Sequence, residues 1–248
     1  MKINIIGRGR VATHLRTALL NHADIVMVNP HTLEYLDSEA DLTLISVSDN
    51  AIQEIIHKLP EMKGIVAHTS GSTDINVFRD SNIKKYGVFY PLQTFSFDKS
   101  LVYSEIPFFI EGSDHITENK LMEYAGLISP KIRTSNSSDR KNLHIASVFS
   151  CNFVNHLWVL ADEYLTKNGL QFSDLLPLLE ETVNKIKSLS PWKAQTGPAV
   201  RNDTAIIDNH IEALNDDPDL QSLYSILSRS ISNSHNSPKS PGNERNRV

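Results

Sequence analysis

Lys2-Ile3-Asn4-Ile5-Ile6-Gly7-Arg8-Gly9-Arg10-Val11-Ala12 opens the chain, and its reading decides the fold. The β-branched run Lys2–Ile6 ends at a glycine turn, and from Val11 to Leu20 the apolar residues Val11, Leu15, Ala18 and Leu19 share one helical face. The turn fits G-x-G-x-x-[GA]. In that pattern Gly7 permits the tight turn, Gly9 lets the backbone approach a pyrophosphate, and Ala12 allows the helix to pack closely on its strand. Free N–H groups at the helix N-terminus then face the phosphates. A plain βα turn also uses small residues, but the chain has only 10 glycines and the strand–turn–helix context is met. Gly7, Arg8, Gly9, Arg10, Val11 and Ala12 are therefore read as a dinucleotide-binding turn.

Working outward, the alternation of strand and helix continues to about residue 135. Strands are expected at Ile25–Val28, Leu42–Val47, Gly64–His68, Tyr86–Tyr90, Pro107–Glu111 and Lys131–Thr134. Helices are expected after Ser48-Asp49, from Thr69-Ser70-Gly71-Ser72 through Phe78, and around Glu118–Ala125. Such alternation builds a mostly parallel sheet with helices on both faces. After Ser135-Asn136-Ser137-Ser138 the character changes. Asp139 to about Lys167 contains no helix breaker, a rod of about 40 Å that is apolar on nearly every side. A helix of that kind must be enclosed by its own domain or by a partner subunit. Further helices are expected at Ser173–Leu189, Asp203–Leu214 and Pro218–Ser230, and Ser232–Val248, rich in Ser, Asn and Pro, reads as disordered. The chain is thus α/β followed by all-α: domains at 1–135 and 136–231, and a tail at 232–248.

Composition narrows the function. With 248 residues, 24 Lys+Arg against 29 Asp+Glu and a formal charge of −5, the chain lacks the basic excess of a nucleic-acid binder. The single cysteine, Cys151, cannot close an intramolecular disulfide, which favours a reducing compartment. No secretory pattern follows Met1-Lys2, and the longest apolar stretch, Ile145 to Ala161, is interrupted by Asn152, Asn155 and His156. A cytoplasmic protein away from membranes is expected. The 10 histidines are scattered among no carboxylates at ligand spacing, so no metal site is indicated.

The end of the second strand distinguishes the coenzymes. A reader of NAD places Asp or Glu there to bind the ribose 2′-OH. This chain has Asn29-Pro30-His31-Thr32 and no carboxylate, with Arg8 and Arg10 close to where a 2′-phosphate or the pyrophosphate would lie unless they are solvated loop charges, which favours NADP(H). The carboxyl ends of the third and fourth strands, Ser46-Val47-Ser48-Asp49 and His68-Thr69-Ser70-Gly71, fall on the edge where open α/β sheets bind ligands. Asp49 reads first as a helix cap. Ser70 reads as a cap or as a hydroxyl facing the nicotinamide.

On the long helix Lys141, His144, Asn152 and Asn155 fall within an arc of about 80° at 100° per residue. A polar stripe on an apolar rod needs a reason, either a satisfied network between helices or a site. In the loop Thr196–Asp203, Asp203 reads as the N-cap of the next helix. Arg201 there offers a planar fork for a carboxylate or phosphate, or a loop salt bridge.

Taken together these residues resemble a known family. The glycine turn, His68-Thr69-Ser70-Gly71-Ser72, Tyr90-Pro91-Leu92-Gln93-Thr94-Phe95, His144-Ile145-Ala146 through Cys151-Asn152-Phe153, and Thr196-Gly197-Pro198 with Arg201 and Asp203 are similar to the Rossmann-like/DUF2520 family. That family lies within the 6-phosphogluconate dehydrogenase-like and pyrroline-5-carboxylate reductase-like superfamily. The resemblance covers roughly residues 1–230. It implies an NADP-binding Rossmann-like domain, a helical domain that commonly dimerises, and a site in the cleft between them. Ketopantoate reduction, known for a subset of members, is the sharpest substrate it implies. Lys141-x-x-His144 also resembles the Lys-x-x-His-Asn signature of 6-phosphogluconate dehydrogenases, with Ile145 in place of the Asn. Tyr90 stands where the broader family has His-Pro.

The expected activity is therefore NADPH-dependent reduction of a small 2-oxo acid in a homodimer. His144 is the first choice as proton donor and Lys141 the second, with Asn152 orienting the carbonyl. Ser70 and Tyr90 would lie by the nicotinamide, and Arg201 would hold the substrate carboxylate. The alternatives are an imine reductase of the pyrroline-5-carboxylate type and a sensor that binds NADP(H) without turnover.

Overall fold

The computed structural model describes residues 1–97 and 99–236. It comprises two compact units, Met1–Phe153 and the chain from Val154 on.

The first unit is built on one sheet. Its strands are β1 (Lys2–Ile6), β2 (Asp24–Val28), β3 (Leu42–Ile45), β4 (Ile65–His68), β5 (Tyr86–Pro91), β6 (Phe108–Gly112) and β7 (Ile132–Thr134). They lie in the order β2-β1-β3-β4-β5-β6-β7, every neighbouring pair parallel except β5 with β6. Period-two alternation sends side chains to both faces. Ile3, Ile5, Leu42, Leu44, Ala67 and Phe89 pack on one side with Leu15 and Leu19 of α1 (Arg10–Leu19) and with Leu121 of α3 (His115–Gly126). Ile6, Ile45 and Val66 face the other side, where Ile52, Ile55 and Ile56 of α2 (Asp49–Lys58) cover them. Because both faces are covered, the central strands β1, β3 and β4 are mostly hydrophobic runs, as the sequence displays.

The chain leaves β1 for β2 on one side and enters β3 on the other, so β1 and β3 flank the point where the winding reverses. Ligand crevices open there, beyond the carboxyl ends of the strands.

Some expectations change. The helix anticipated through Phe78 is a single 3₁₀ turn, Ile75–Phe78. Ser70 Oγ accepts from the amides of Ser72 at 3.1 Å and Thr73 at 3.0 Å, and Asp74 then caps Asn76 N, so side chains take up the amides that would start a longer helix. The helix α2 begins at Asp49 after Ser48, which occupies the N-cap position without a side-chain cap bond. The long helix begins at Ser137, with the Asn136 side chain accepting from Asp139 N at 2.8 Å. Its first part, α4 (Ser137–Ser147), and a π turn, Val148–Phe153, belong to the first unit, beyond the change of composition near Ser135. An i→i+5 turn winds less per residue than an α-helix. The polar stripe drawn at a uniform 100° per residue therefore does not continue in register past Val148.

The second unit contains α5 (Val154–Lys167), α6 (Leu176–Ser188), the short α7 (Pro191–Ala194), α8 (Thr204–Ala213) and α9 (Pro218–Asn236). Asp203 caps α8 as expected, accepting from Ile206 N. The helix α9 runs on through residues 232–236, which were expected to be disordered; the rest of the expected tail lies outside the described residues. Among the described residues of this unit only Ala199 is buried. Leu157, Trp158, Val159, Leu178, Ile186 and Ile226 are all exposed.

The helical run Ser137–Lys167, 31 residues, is by length and composition alone apolar enough to cross a membrane, contrary to the expectation that no segment would be. None of its most apolar stretch is buried within the chain.

Candidate functional site

Five strand ends converge on one cleft of about 620 Å³ in the first unit, a size typical of small-molecule and cofactor sites. Gly7 follows β1, Pro30 and His31 follow β2, Ser46-Val47-Ser48 follow β3, Thr69-Ser70-Gly71 follow β4, and Tyr90 is the last residue but one of β5.

At the first of these ends Gly7 has φ of +140°, and a Cβ there would stand 2.0 Å from the Ser46 carbonyl oxygen. No other residue fits that turn. Ala12 lies buried directly behind it. A Cβ on Gly9 would meet nothing within 4 Å, so the backbone is open to the cleft at the position where the pattern requires a pyrophosphate to approach. Gly9 caps α1 without a side-chain bond, and the first turn of the helix carries no acidic residue. Its N–H groups and positive dipole end are therefore available to an anion. A dinucleotide fits this cradle: Gly7, Arg8, Gly9, Arg10 and Val11 line it.

At the end of β2, Pro30 and His31 line the cleft. Asn29 does not; its side chain accepts from His31 N at 3.0 Å and shapes the turn that presents His31. Glu54 of α2 also lines the cleft and is paired with Lys58 at 2.5 Å, which holds its carboxyl below the usual range. The guanidinium of Arg10 rests over the Phe97 ring, 5.8 Å from its centroid.

Thr69, Ser70, Gly71, Tyr90, Gln93 and His144 also line the cleft, as does Phe95, whose ring packs on His14 of α1. The Tyr90 hydroxyl and His144 Nδ1 lie 3.1 Å apart, their rings edge-to-face. Burial pushes the Tyr90 phenol up to about 12, against the charge of Arg140, so it keeps its proton at neutral pH. When that proton is donated to Nδ1, the imidazole's own N–H is fixed on Nε2. The pair sits on Gly71. A Cβ there would lie 2.7 Å from Tyr90 Cζ and 2.8 Å from His144 Nδ1. Glycine is what allows phenol and imidazole to meet over this loop.

Behind them His68 is fully buried, with its pKa lowered to about 3 by desolvation and by the charge of Arg140. Its Nδ1 accepts from Ser70 N at 3.2 Å, and its ring stacks on Phe78. It is a neutral support for the loop.

The structure thus joins Ser70, Tyr90 and His144 to the residues of the glycine turn and to Ser46, Val47 and Ser48 in one cleft. Lys141 and Asn152 are exposed and do not line it. Arg201 belongs to the second unit, exposed between Ala199 and the positive-φ Asn202, while Asp203 spends its carboxylate on the α8 cap. Sequence reasoning missed Gly71, Gln93 and Phe95 as lining residues, although the motifs quoted from the chain contain all three. It also missed Arg140 and Glu111, discussed below, because an arginine on a helix ordinarily reads as solvated.

A family model described as a domain of unknown function, DUF2520, matches residues 106–231. No curated protein matches the chain. Among solved structures, a "putative NADP oxidoreductase" from Bacteroides fragilis is 38% identical, with 93% of this chain and 97% of that one covered at a TM-score of 0.85. An imine reductase from Myxococcus stipitatus in complex with NADP+ is 13% identical over 95% and 96% of the two chains, with a TM-score of 0.63. The pyrroline carboxylate reductase of Plasmodium falciparum, with NADP bound, is 12% identical over 94% and 98%, with a TM-score of 0.57.

Proposed function

This chain belongs to the DUF2520 family, and we propose that it is an NADP-dependent oxidoreductase that reduces a small 2-oxo acid, ketopantoate being the first substrate to test. The observation that carries the proposal is the Tyr90–His144 hydrogen bond at one end of a cleft whose other end is the glycine turn. A dinucleotide laid from Gly7 toward Tyr90 spans the two.

Bound NADPH would supply the hydride. The chain's own residues do the rest. Gly7 to Val11 would hold the pyrophosphate on the α1 N-terminus, and Arg8, Arg10 and His31 would serve a 2′-phosphate, where no carboxylate ends β2. As hydride reaches the carbonyl carbon, the oxygen must take up a proton. Protonated His144 gives it from Nε2 while its Nδ1–H donates to the Tyr90 hydroxyl oxygen; the neutral imidazole left behind, its Nδ1 then accepting from Tyr90, takes its next proton from solvent. Ser70 shapes the floor of this end through its bonds to Ser72 N and Thr73 N. Arg201 would clamp the carboxylate of the acid, Lys141 would serve as the second proton source, and Asn152 would orient the carbonyl. In this reading residues 1–135 carry the coenzyme and residues 136–231 the substrate and dimer contacts.

The proposed working form is a cytoplasmic homodimer. The described residues of the helical unit include one buried residue and leave Leu157, Trp158, Val159, Leu178 and Ile186 exposed, an apolar surface that calls for a covering partner. A second copy offers the same apolar surface and covers it by two-fold symmetry. Light scattering at micromolar concentration should give twice the 27.8 kDa chain mass, and a monomer would contradict the proposal.

Reduction of a cyclic imine is the second reading. It is favoured by the same phenol–imidazole pair, which can protonate nitrogen as readily as oxygen. Following NADPH oxidation at 340 nm with ketopantoate and pyrroline-5-carboxylate side by side separates the two. Coenzyme binding without turnover on either substrate or on related 2-oxo acids and imines would favour a sensor instead.

A further inference from the structure

The Tyr90–His144 bond joins a strand to a helix, so it forms only if α4 is held at a fixed height over the sheet. We infer that Arg140 is the positioning residue that sets that height, through a buried network with Glu111, Ser137 and Thr73. The inference rests on the reading of His144 as proton donor.

Arg140 precedes His144 by one helical turn, so the two side chains leave α4 on the same side. Its guanidinium is fully buried. One end, Nη1, pairs with Glu111 Oε2 on β6. The other, Nη2, donates to the Thr73 carbonyl at 2.7 Å and to Ser137 Oγ at 3.1 Å. Ser137 completes the knot. Its N–H and hydroxyl donate to the two Glu111 oxygens at 3.1 Å and 2.8 Å, and its Oγ accepts from Ile75 N at 3.0 Å. Three pieces of backbone are thereby fixed together: β6, the loop that continues from Ser70 and Gly71, and the first turn of α4.

The type of residue matters. Only a planar fork can reach a carboxylate, a carbonyl and a hydroxyl at once; a lysine ammonium on its flexible stem would satisfy fewer of them and fix none in direction. Stability does not account for the pair, because replacing buried ion pairs with apolar residues is often neutral or stabilising. What a buried, multiply bonded arginine supplies is geometry. Its charge also reaches the site, depressing His68 and drawing the Tyr90 phenol down against its burial.

The test compares Arg140→Lys, Arg140→Met and Glu111→Gln with Tyr90→Phe in the full chain. For each variant, NADPH affinity is measured by fluorescence titration, kcat and KM by NADPH oxidation, and the His144 ring nitrogens by ¹⁵N NMR. Arg140→Lys should leave NADPH affinity within about twofold, lower kcat about tenfold, and move the His144 Nδ1 resonance toward its position in Tyr90→Phe. Glu111→Gln should move it the same way by less. If Arg140→Met fails to fold, the other two variants carry the comparison. A His144 resonance unmoved in Arg140→Lys and Glu111→Gln overturns the inference, whatever happens to melting temperature or turnover. If no substrate is turned over at all, the proposed function fails, but the NMR comparison still decides whether Arg140 positions His144.

Discussion

Gly71→Ala places a single methyl group under the Tyr90–His144 pair. Its Cβ would lie 2.7 Å from Tyr90 Cζ, 2.8 Å from His144 Nδ1 and 2.9 Å from Tyr90 Cε2. Carbon atoms rest comfortably at about 3.5 to 4.0 Å, so the rings must withdraw by roughly 0.8 Å. The hydrogen bond starts at 3.1 Å. Lengthened by about 0.5 Å it is no longer a hydrogen bond. Overpacking of this kind costs about 1–3 kcal/mol of stability, which a domain with the two-sided core of the first unit withstands. The effect on turnover is larger, because a misplacement of about 1 Å at a reacting centre costs on the order of 10²-fold. NADPH affinity, set mainly at the Gly7 end, should change by less than about threefold. Steady-state kinetics, coenzyme titration and thermal melting on one preparation separate these quantities. A Gly71→Ala protein that folds and keeps kcat within about twofold of the parent would refute the placement of this pair at the reacting centre.

Other outcomes follow from the same geometry. Tyr90→Phe removes the hydroxyl bonded to His144 Nδ1, so turnover should fall by about 10- to 100-fold with NADPH affinity unchanged; an unchanged rate would mean that the phenol takes no part. His68 predicts an acid-sensitive fold. Burial holds it near 3 in the native state against an ordinary 6.5, so the unfolded chain binds an extra proton as pH drops below about 6.5. Stability is therefore full above that pH and declines by about 1.4 kcal/mol per unit toward pH 3, roughly 2 kcal/mol by pH 5. Urea titrations at pH 7.5 and pH 5 should show that loss shrink in His68→Asn, whose side-chain carbonyl still accepts from Ser70 N. An equal loss in both proteins would remove His68 as the cause.

Much of this was legible in the sequence, for identifiable reasons. The central strands are covered on both faces and read as mostly apolar runs, and Gly7 occupies a turn that no residue with a side chain can adopt. Asp203 capped its helix as a short acidic side chain before an apolar run should. What the chain hid depends on contacts between distant residues. The π turn at Val148–Phe153 has no local signature, yet it takes Asn152 out of register with His144. The meeting of Tyr90 with His144, 54 positions apart, is a tertiary event. So is the burial of Arg140, whose partners come from β6 and from the loop after β4.

The central claim is that a nicotinamide dinucleotide lies along the strand ends, with its reactive ring at the phenol–imidazole pair. A crystal structure of the NADPH complex tests it most directly. The account predicts the pyrophosphate on the amides of Gly9 to Val11, the 2′-phosphate beside Arg8, Arg10 or His31, and the nicotinamide within contact of Tyr90 and His144. A coenzyme bound in the reverse direction, or with its nicotinamide remote from His144, would contradict it.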